Sequence, residues 1–207
     1  MESANRKLTE QPTGLADLGR DPVLLAERAK YDQVWRLPQY RVKSHGLNLW
    51  MSAPEIFPDP PGRVLDIGCG LGRLFGTLRD NGVDAWGVDW IPHALEAWVA
   101  ERHGAHFVQS CIWDMTWERR FDLGVCTDVM EHIPEERVAR SLDAIAAACE
   151  LVVFKIANFP SNSLGAELHP TQRPAEWWMD QMTAQGGAVE ILPVPSGKRD
   201  FVIRWRP

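Results

Sequence analysis

The sequence predicts an α/β protein, a three-layer sandwich around a mostly parallel seven-stranded sheet with an antiparallel C-terminal strand. Three observations carry this. Short apolar runs alternate with apolar residues at helical spacing from residue 63 onward. The stretch "VLDIGCGLGRL", residues 64 to 74, reads as a strand that breaks into three alternating glycines just where it should hand over to a helix. The chain then closes on two strand-like runs joined by a turn-rich segment.

Taken in order, residues 1 to 60 form an N-terminal helical lead-in and residues 61 to 207 the α/β domain. Residues 1 to 21 are loose, and Leu25, Ala29 and Val34 space a helix over Pro22 to Trp35, with proline suited to its first turn. "LPQYRVKSHGLNLW" and a proline-rich link from Pro54 to Pro61 follow. Arg63 to Ile67 is the first strand. Leu71, Leu74, Phe75 and Leu78 make a helical stripe that stops at Asn81-Gly82. Ala85 to Asp89 is the second strand. Pro92 opens a helix carrying Leu95, Trp98 and Val99, stopped by Gly104. Phe107 to Gln109 and Phe121 to Thr127 are the third and fourth strands. Val138, Leu142, Ile145 and Cys149 mark a helix, and Leu151 to Ile156 is the fifth strand. A long irregular stretch, Ala157 to Arg173, leads to Pro174 and a helix bearing Trp177, Trp178 and Met182, ended by Gly186-Gly187. Val189 to Leu192 and Phe201 to Trp205 are the last strands, with "PSGKRD" as a solvated tip between them. Parallel strands with crossover helices and one antiparallel strand near an edge make a Rossmann-like domain.

Composition narrows the classes. The chain of 207 residues suffices for one sizeable core, and its formal charge of −6 argues against a nucleic-acid backbone as main partner. No apolar run approaches the ~20 residues of a membrane span, and Met1 to Gln11 lacks the apolar core of a signal peptide. Cys69, Cys111, Cys126 and Cys149 show no metal-ligand spacing and lie in or beside apolar segments, as buried thiols in a reducing cytoplasm would. No metal is expected.

The glycines point to a ligand. In doubly wound sheets ligands bind beyond the carboxyl ends of the strands, where strand order reverses. Gly68, Gly70 and Gly72 supply positive φ and close approach there. The dinucleotide fingerprint needs glycine at 73, where Arg73 stands, and the phosphate-binding loop needs Gly-Lys-Ser/Thr, where Leu74 and Phe75 follow. Asp66 suits a cationic group better than a pyrophosphate.

"VLDIGCGLGRL" resembles the first motif of class I S-adenosylmethionine-dependent methyltransferases, particularly small bacterial and phage members of unassigned substrate. "WGVDW" at 86 to 90 resembles that family's second-strand acidic motif, and "FDLGVCTDVMEHIPEERV" its fourth-strand segment. The resemblance implies that Gly68, Cys69, Gly70 and Gly72 lie beside the methionyl and ribose parts of S-adenosylmethionine, with Asp66 orienting the loop and the amino group. It implies that Asp89 accepts from both ribose hydroxyls, that Trp90 and Ile91 cover the adenine, and that Asp128 and Val129 lie under the methionyl group. The acidic adenine-binding residue of many members is missing from "VQSCIWDM"; backbone groups around Cys111 and Ile112, with Trp113 stacking, replace it in this reading. "YDQVWRLPQYRVKSHG" resembles a cofactor lid, with Tyr31, Tyr40, Arg41 and Ser44 closing over the cofactor and Arg41 pairing with its carboxylate; a surface helix with aromatic anchors is the other reading.

Methyl transfer needs a positioned acceptor and, for oxygen, a base. His169, in the long loop before the tryptophan-rich helix, is the first candidate; His132 and Glu131 in "DVMEH" follow. Asn162, Thr171, Arg173, Trp177 and Trp178 offer polar handles beside aromatic walls, which suits an oxygen of a sugar or other polar metabolite, although Trp177 and Trp178 cannot both face inward. No D/N-P-P-Y/F motif follows the fourth strand, as amino-group methyltransferases of nucleic acid would show. Action on nucleic acid or a modified base, a related oxidoreductase, and a non-catalytic cofactor-binding subunit stay as alternatives. Oligomeric state is not readable.

Overall fold

The computed structural model of the chain describes residues 22–117, 121–163, 165–193 and 199–207. The lead-in over residues 1–21 and most of the "PSGKRD" tip lie outside them. The strands are β1 (Val64–Ile67), β2 (Ala85–Asp89), β3 (Phe107–Gln109), β4 (Leu123–Thr127), β5 (Val152–Ala157), β6 (Asn162–Ser163), β7 (Ala166–Glu167), β8 (Ala188–Leu192) and β9 (Asp200–Arg206). The helices are α1 (Pro22–Val34), α2 (His45–Ser52), α3 (Arg73–Asp80), α4 (Ala97–His103), α5 (Glu135–Ala148) and α6 (Ala175–Ala184). Seven strands form one sheet in the order β3-β2-β1-β4-β5-β9-β8. β1 to β5 are parallel, and β9 runs antiparallel to both β5 and β8. This is the expected Rossmann-like sheet.

Sidedness follows from the two-residue period of a strand. In β1, all four residues are buried; Leu65 and Ile67 join the core beneath α5 and α6, and Val64 joins the opposite core beneath α2 and α3. Both faces are therefore covered, which is why β1 reads as a nearly continuous apolar run. The exception, Asp66, lies on the α3 side, where its Oδ2 accepts the Phe75 N–H in the first turn of that helix (3.3 Å).

Three local expectations give way. The helix from Pro92 is two pieces, a 3-10 turn at Pro92–Ala94 and then α4. Between them Leu95 is extended (φ −52°, ψ 141°) and the Glu96 N–H donates to the Leu71 carbonyl, so tertiary bonding cuts the helix. The segment expected to link α1 to the proline-rich stretch forms α2; Ser44 caps it by accepting the Leu47 N–H (3.4 Å), and it buries Leu49 against the sheet. The stretch expected to be irregular holds the small antiparallel ladder β6–β7.

Candidate active site

Strand order reverses between β1 and β4, and a cavity of about 430 Å³ opens beyond their carboxyl ends, as expected for this architecture and within the ~300–1,000 Å³ of small-molecule sites. Its floor is the glycine turn after β1. The Gly68 and Cys69 N–H groups both donate to the Val88 carbonyl (2.8 and 3.0 Å), pinning the turn to β2. Gly68 has φ +67°, and a Cβ there would stand 2.4 Å from Val129 Cγ2; one on Gly70 (φ +50°) would stand 2.7 Å from the Trp35 ring. The glycines thus admit protein side chains that close the cavity as well as a positive-φ backbone.

Asp89 ends β2 and is 9% exposed. Its Oδ2 accepts the Gly70 N–H (2.8 Å) and its Oδ1 the Ile91 N–H (2.9 Å), leaving each oxygen a lone pair for a further donor. Burial pushes its carboxyl above the ordinary range, opposed by the N–H groups of Ile91 and Gly70. Burial likewise raises Asp66 to about 7, opposed by the Phe75 N–H. Beyond Asp89 the wall is formed by Trp90, Ile91, Ser110, Cys111, Ile112 and Trp113, with the rings of Trp90 and Trp113 5.5 Å apart and perpendicular. A buried two-oxygen acceptor, an apolar slot beside it and acidic groups around the glycine turn fit S-adenosylmethionine. Gly72 serves the scaffold instead, since a Cβ there would strike Leu95 at 2.7 Å.

The N-terminal segment covers the cavity through Tyr31, Trp35, Tyr40, Lys43, Ser44 and His45. Asp128 is left-handed (φ 58°) and faces this cover: His45 Nε2 lies 2.9 Å from its Oδ2 and Lys155 Nζ 3.7 Å from its Oδ1. Burial opposes ionisation of Asp128, but the His45 hydrogen bond and the charges of His45 and Lys155 hold its carboxyl well below the ordinary range. Arg41 does not reach the cavity. Its guanidinium lies 3.4 Å from the carbonyls of Trp35, His93 and Leu95, bracing the segment from behind. Arg73, which stands where the dinucleotide fingerprint needs glycine, clasps the same segment through the carbonyls of Val42 (2.9 Å) and Arg41 (3.2 Å) while paired with Glu96.

His132 and His169 meet at another end of the cavity, ring centroids 4.5 Å apart and nearly perpendicular. His132 Nδ1 lies 2.8 Å from the Leu168 carbonyl, and His169 Nδ1 lies 2.6 Å from the Phe159 carbonyl. A carbonyl only accepts, so each Nδ1 carries the proton and each Nε2 keeps its lone pair. Burial, then the charge that a protonated His169 would carry, push His132 down to about 4. Glu131 is fully buried behind them and outside the cavity lining; its Oε1 accepts the Ala157 N–H (3.1 Å) and its Oε2 has no partner among the described residues. Burial, then the charge of Asp128, push it well above the ordinary range. Glu131, His132 and His169 each bring one potential metal-ligating atom to within 4.8 Å of the others.

The residues proposed to hold the acceptor are not gathered here. Asn162 is exposed in β6, and Arg173 is paired outside with Glu135 at 2.7 Å. Thr171 is buried and donates to the Ile133 carbonyl (2.6 Å). Trp178 is fully buried beneath the sheet and Trp177 packs against the same core, because α6 turns its apolar face to β8 and β9. Phe159, Ser161 and Leu168 stand at the histidine end instead. No motif singles these out; the fold of the loop through β6 and β7 brings them in.

A family model described as "Methyltransferase domain" matches residues 41–190. Among curated proteins, the "Ubiquinone biosynthesis O-methyltransferase" of Vibrio campbellii is 31% identical over 105 residues, 46% of this chain and 44% of that protein. That of Pectobacterium carotovorum is 26% identical over 153 residues, 70% of this chain and 57% of that protein. The chain thus spans about half the length of these curated relatives. Among solved structures, a "DhpI-SAM-HEP complex" superposes with a TM-score of 0.67 at 16% identity, over 90% of this chain and 99% of that one. The magnesium protoporphyrin IX methyltransferase of Synechocystis with bound SAM gives 0.55 at 17%, over 89% and 82%. At these identities the structures speak for the fold.

Proposed function

The chain belongs to this methyltransferase-domain family, as a class I S-adenosylmethionine-dependent member, and from that premise we propose that it methylates an oxygen of a polar small molecule. The observation that carries the reading is the pair of histidines tied by Nδ1 to backbone carbonyls, each left with a free Nε2 lone pair. Bound in the cavity, S-adenosylmethionine supplies a methyl group on a sulfonium, which leaves without protein assistance. The chain's part is to orient the acceptor and remove its hydroxyl proton. His132 is neutral near pH 7 because burial holds it down at about 4, and both rings stand at the cavity wall. His169 remains the first candidate for the base, with His132 beside it. The O-methylation for which the curated relatives are named favours oxygen over nitrogen or carbon.

The test is transfer of labelled methyl from S-adenosylmethionine to a panel of hydroxylated small molecules, sugars and phenols included, with the products identified by mass. An ether or ester product, reduced about 10²–10⁴-fold in His169→Ala with S-adenosylhomocysteine binding unchanged, is the expected result. Methylation found only on nitrogen or carbon would overturn the oxygen assignment.

A further inference from the structure

Helix α1 lies outside the segment matched to the family, residues 41–190, yet it places one side chain into the two-histidine end of the cavity. We propose that Tyr31 is a positioning residue: bonded to both His132 and the Leu168 carbonyl, its hydroxyl holds the imidazole against that carbonyl, so that the proton stays on Nδ1 and Nε2 is left to take one. The proposal rests on the methyl-transfer reading of the same site.

Three atoms form a closed triangle. Tyr31 Oη is 2.8 Å from His132 Nδ1 and 3.1 Å from the Leu168 carbonyl oxygen, and that oxygen is 2.8 Å from Nδ1. The carbonyl has no proton to give, so both other corners offer theirs to it. If the phenol instead donated to a bare Nδ1, that nitrogen and the carbonyl oxygen would stand 2.8 Å apart as two electron-rich atoms with no hydrogen between them. The triangle therefore keeps the proton on Nδ1 and the lone pair on Nε2. Burial, then the charge of Glu27, push the Tyr31 phenol above its ordinary value, so it stays a donor throughout the neutral range. Leu168 precedes His169 in the chain, so the same bonds hold the two imidazoles edge to face. The Tyr31 ring meets His132 edge-on at 5.5 Å.

The experiment reads the histidines directly. Two-bond proton–nitrogen spectra of the imidazoles are recorded at neutral pH on wild type and Tyr31→Phe, with and without S-adenosylhomocysteine, and the His132 signals are identified by their loss in His132→Gln. Wild type is expected to show Nδ1 protonated and Nε2 bare, and Tyr31→Phe a shift toward the other tautomer, with affinity for S-adenosylhomocysteine kept within about threefold. With an acceptor in hand, kcat should fall about tenfold with KM little changed. A wild-type spectrum with the proton on Nε2, or an unchanged pattern in a folded Tyr31→Phe, would overturn the proposal. So would an unchanged pattern with affinity down tenfold or more, which would make Tyr31 a cofactor contact. Failure of the methyltransferase reading shows separately, as wild type that does not bind S-adenosylhomocysteine.

Discussion

Asp66 shows how one buried carboxyl can serve both the scaffold and the site. It caps the start of α3 through the Phe75 N–H, lines the cavity, and is raised by burial to about 7. A carboxyl whose folded value is raised stabilises the fold below its unfolded value and loses that contribution as pH rises through the folded one. The unliganded protein should therefore lose stability relative to Asp66→Asn between pH 5 and 7, by at most ~1.4 kcal/mol per pH unit, and level off above. Urea titrations of both proteins across that range check it; parallel curves would contradict it. Asp66 and Asp89 were legible in the sequence because each ends an apolar run at a glycine-bearing or strand-to-helix turn. The His45–Asp128 pair was not legible, since it exists only once α2 docks beside the end of β4. The resemblance makes Arg41 a cofactor ligand, but from the end of its 3-10 turn it reaches three carbonyls instead.

Strands and long helices were read well because each spans several repeats of its own period. β1, β2, β4 and β5 are buried on both faces and bounded by glycine or polar turns. Elements of one or two turns escaped: α2 has eight residues and buries only Gly46 and Leu49, too few for a periodic signal. The α6 helix is legible in the sequence but its facing is not, because adjacent aromatic residues say nothing about which side meets the sheet. Trp178 is 0% exposed in the core that also holds Met182 and Trp205. Its replacement in Trp178→Ala should cost about 3–5 kcal/mol of stability through the cavity left behind, while S-adenosylhomocysteine affinity measured well below the melting temperature stays within about twofold. Lost affinity with intact stability would instead mean that the ring reaches the ligand.

Across the whole molecule, function follows from where the strand order turns. The reversal between β1 and β4 opens the cavity, the glycine turn and Asp89 line one end of it, and the segment from α1 through α2 roofs it. The loop from β5 to α6 brings His169 to His132 across 37 positions of sequence, a meeting no local pattern announces. Asp89 is expected to be the residue through which this cavity holds S-adenosylmethionine, an expectation open to direct test. Its most direct test is calorimetric titration of S-adenosylmethionine and S-adenosylhomocysteine into wild type and Asp89→Ala. Micromolar binding to wild type, weakened by ~1–3 kcal/mol in a folded Asp89→Ala, is the predicted result. No binding to folded wild type, or equal binding to both proteins, would contradict it.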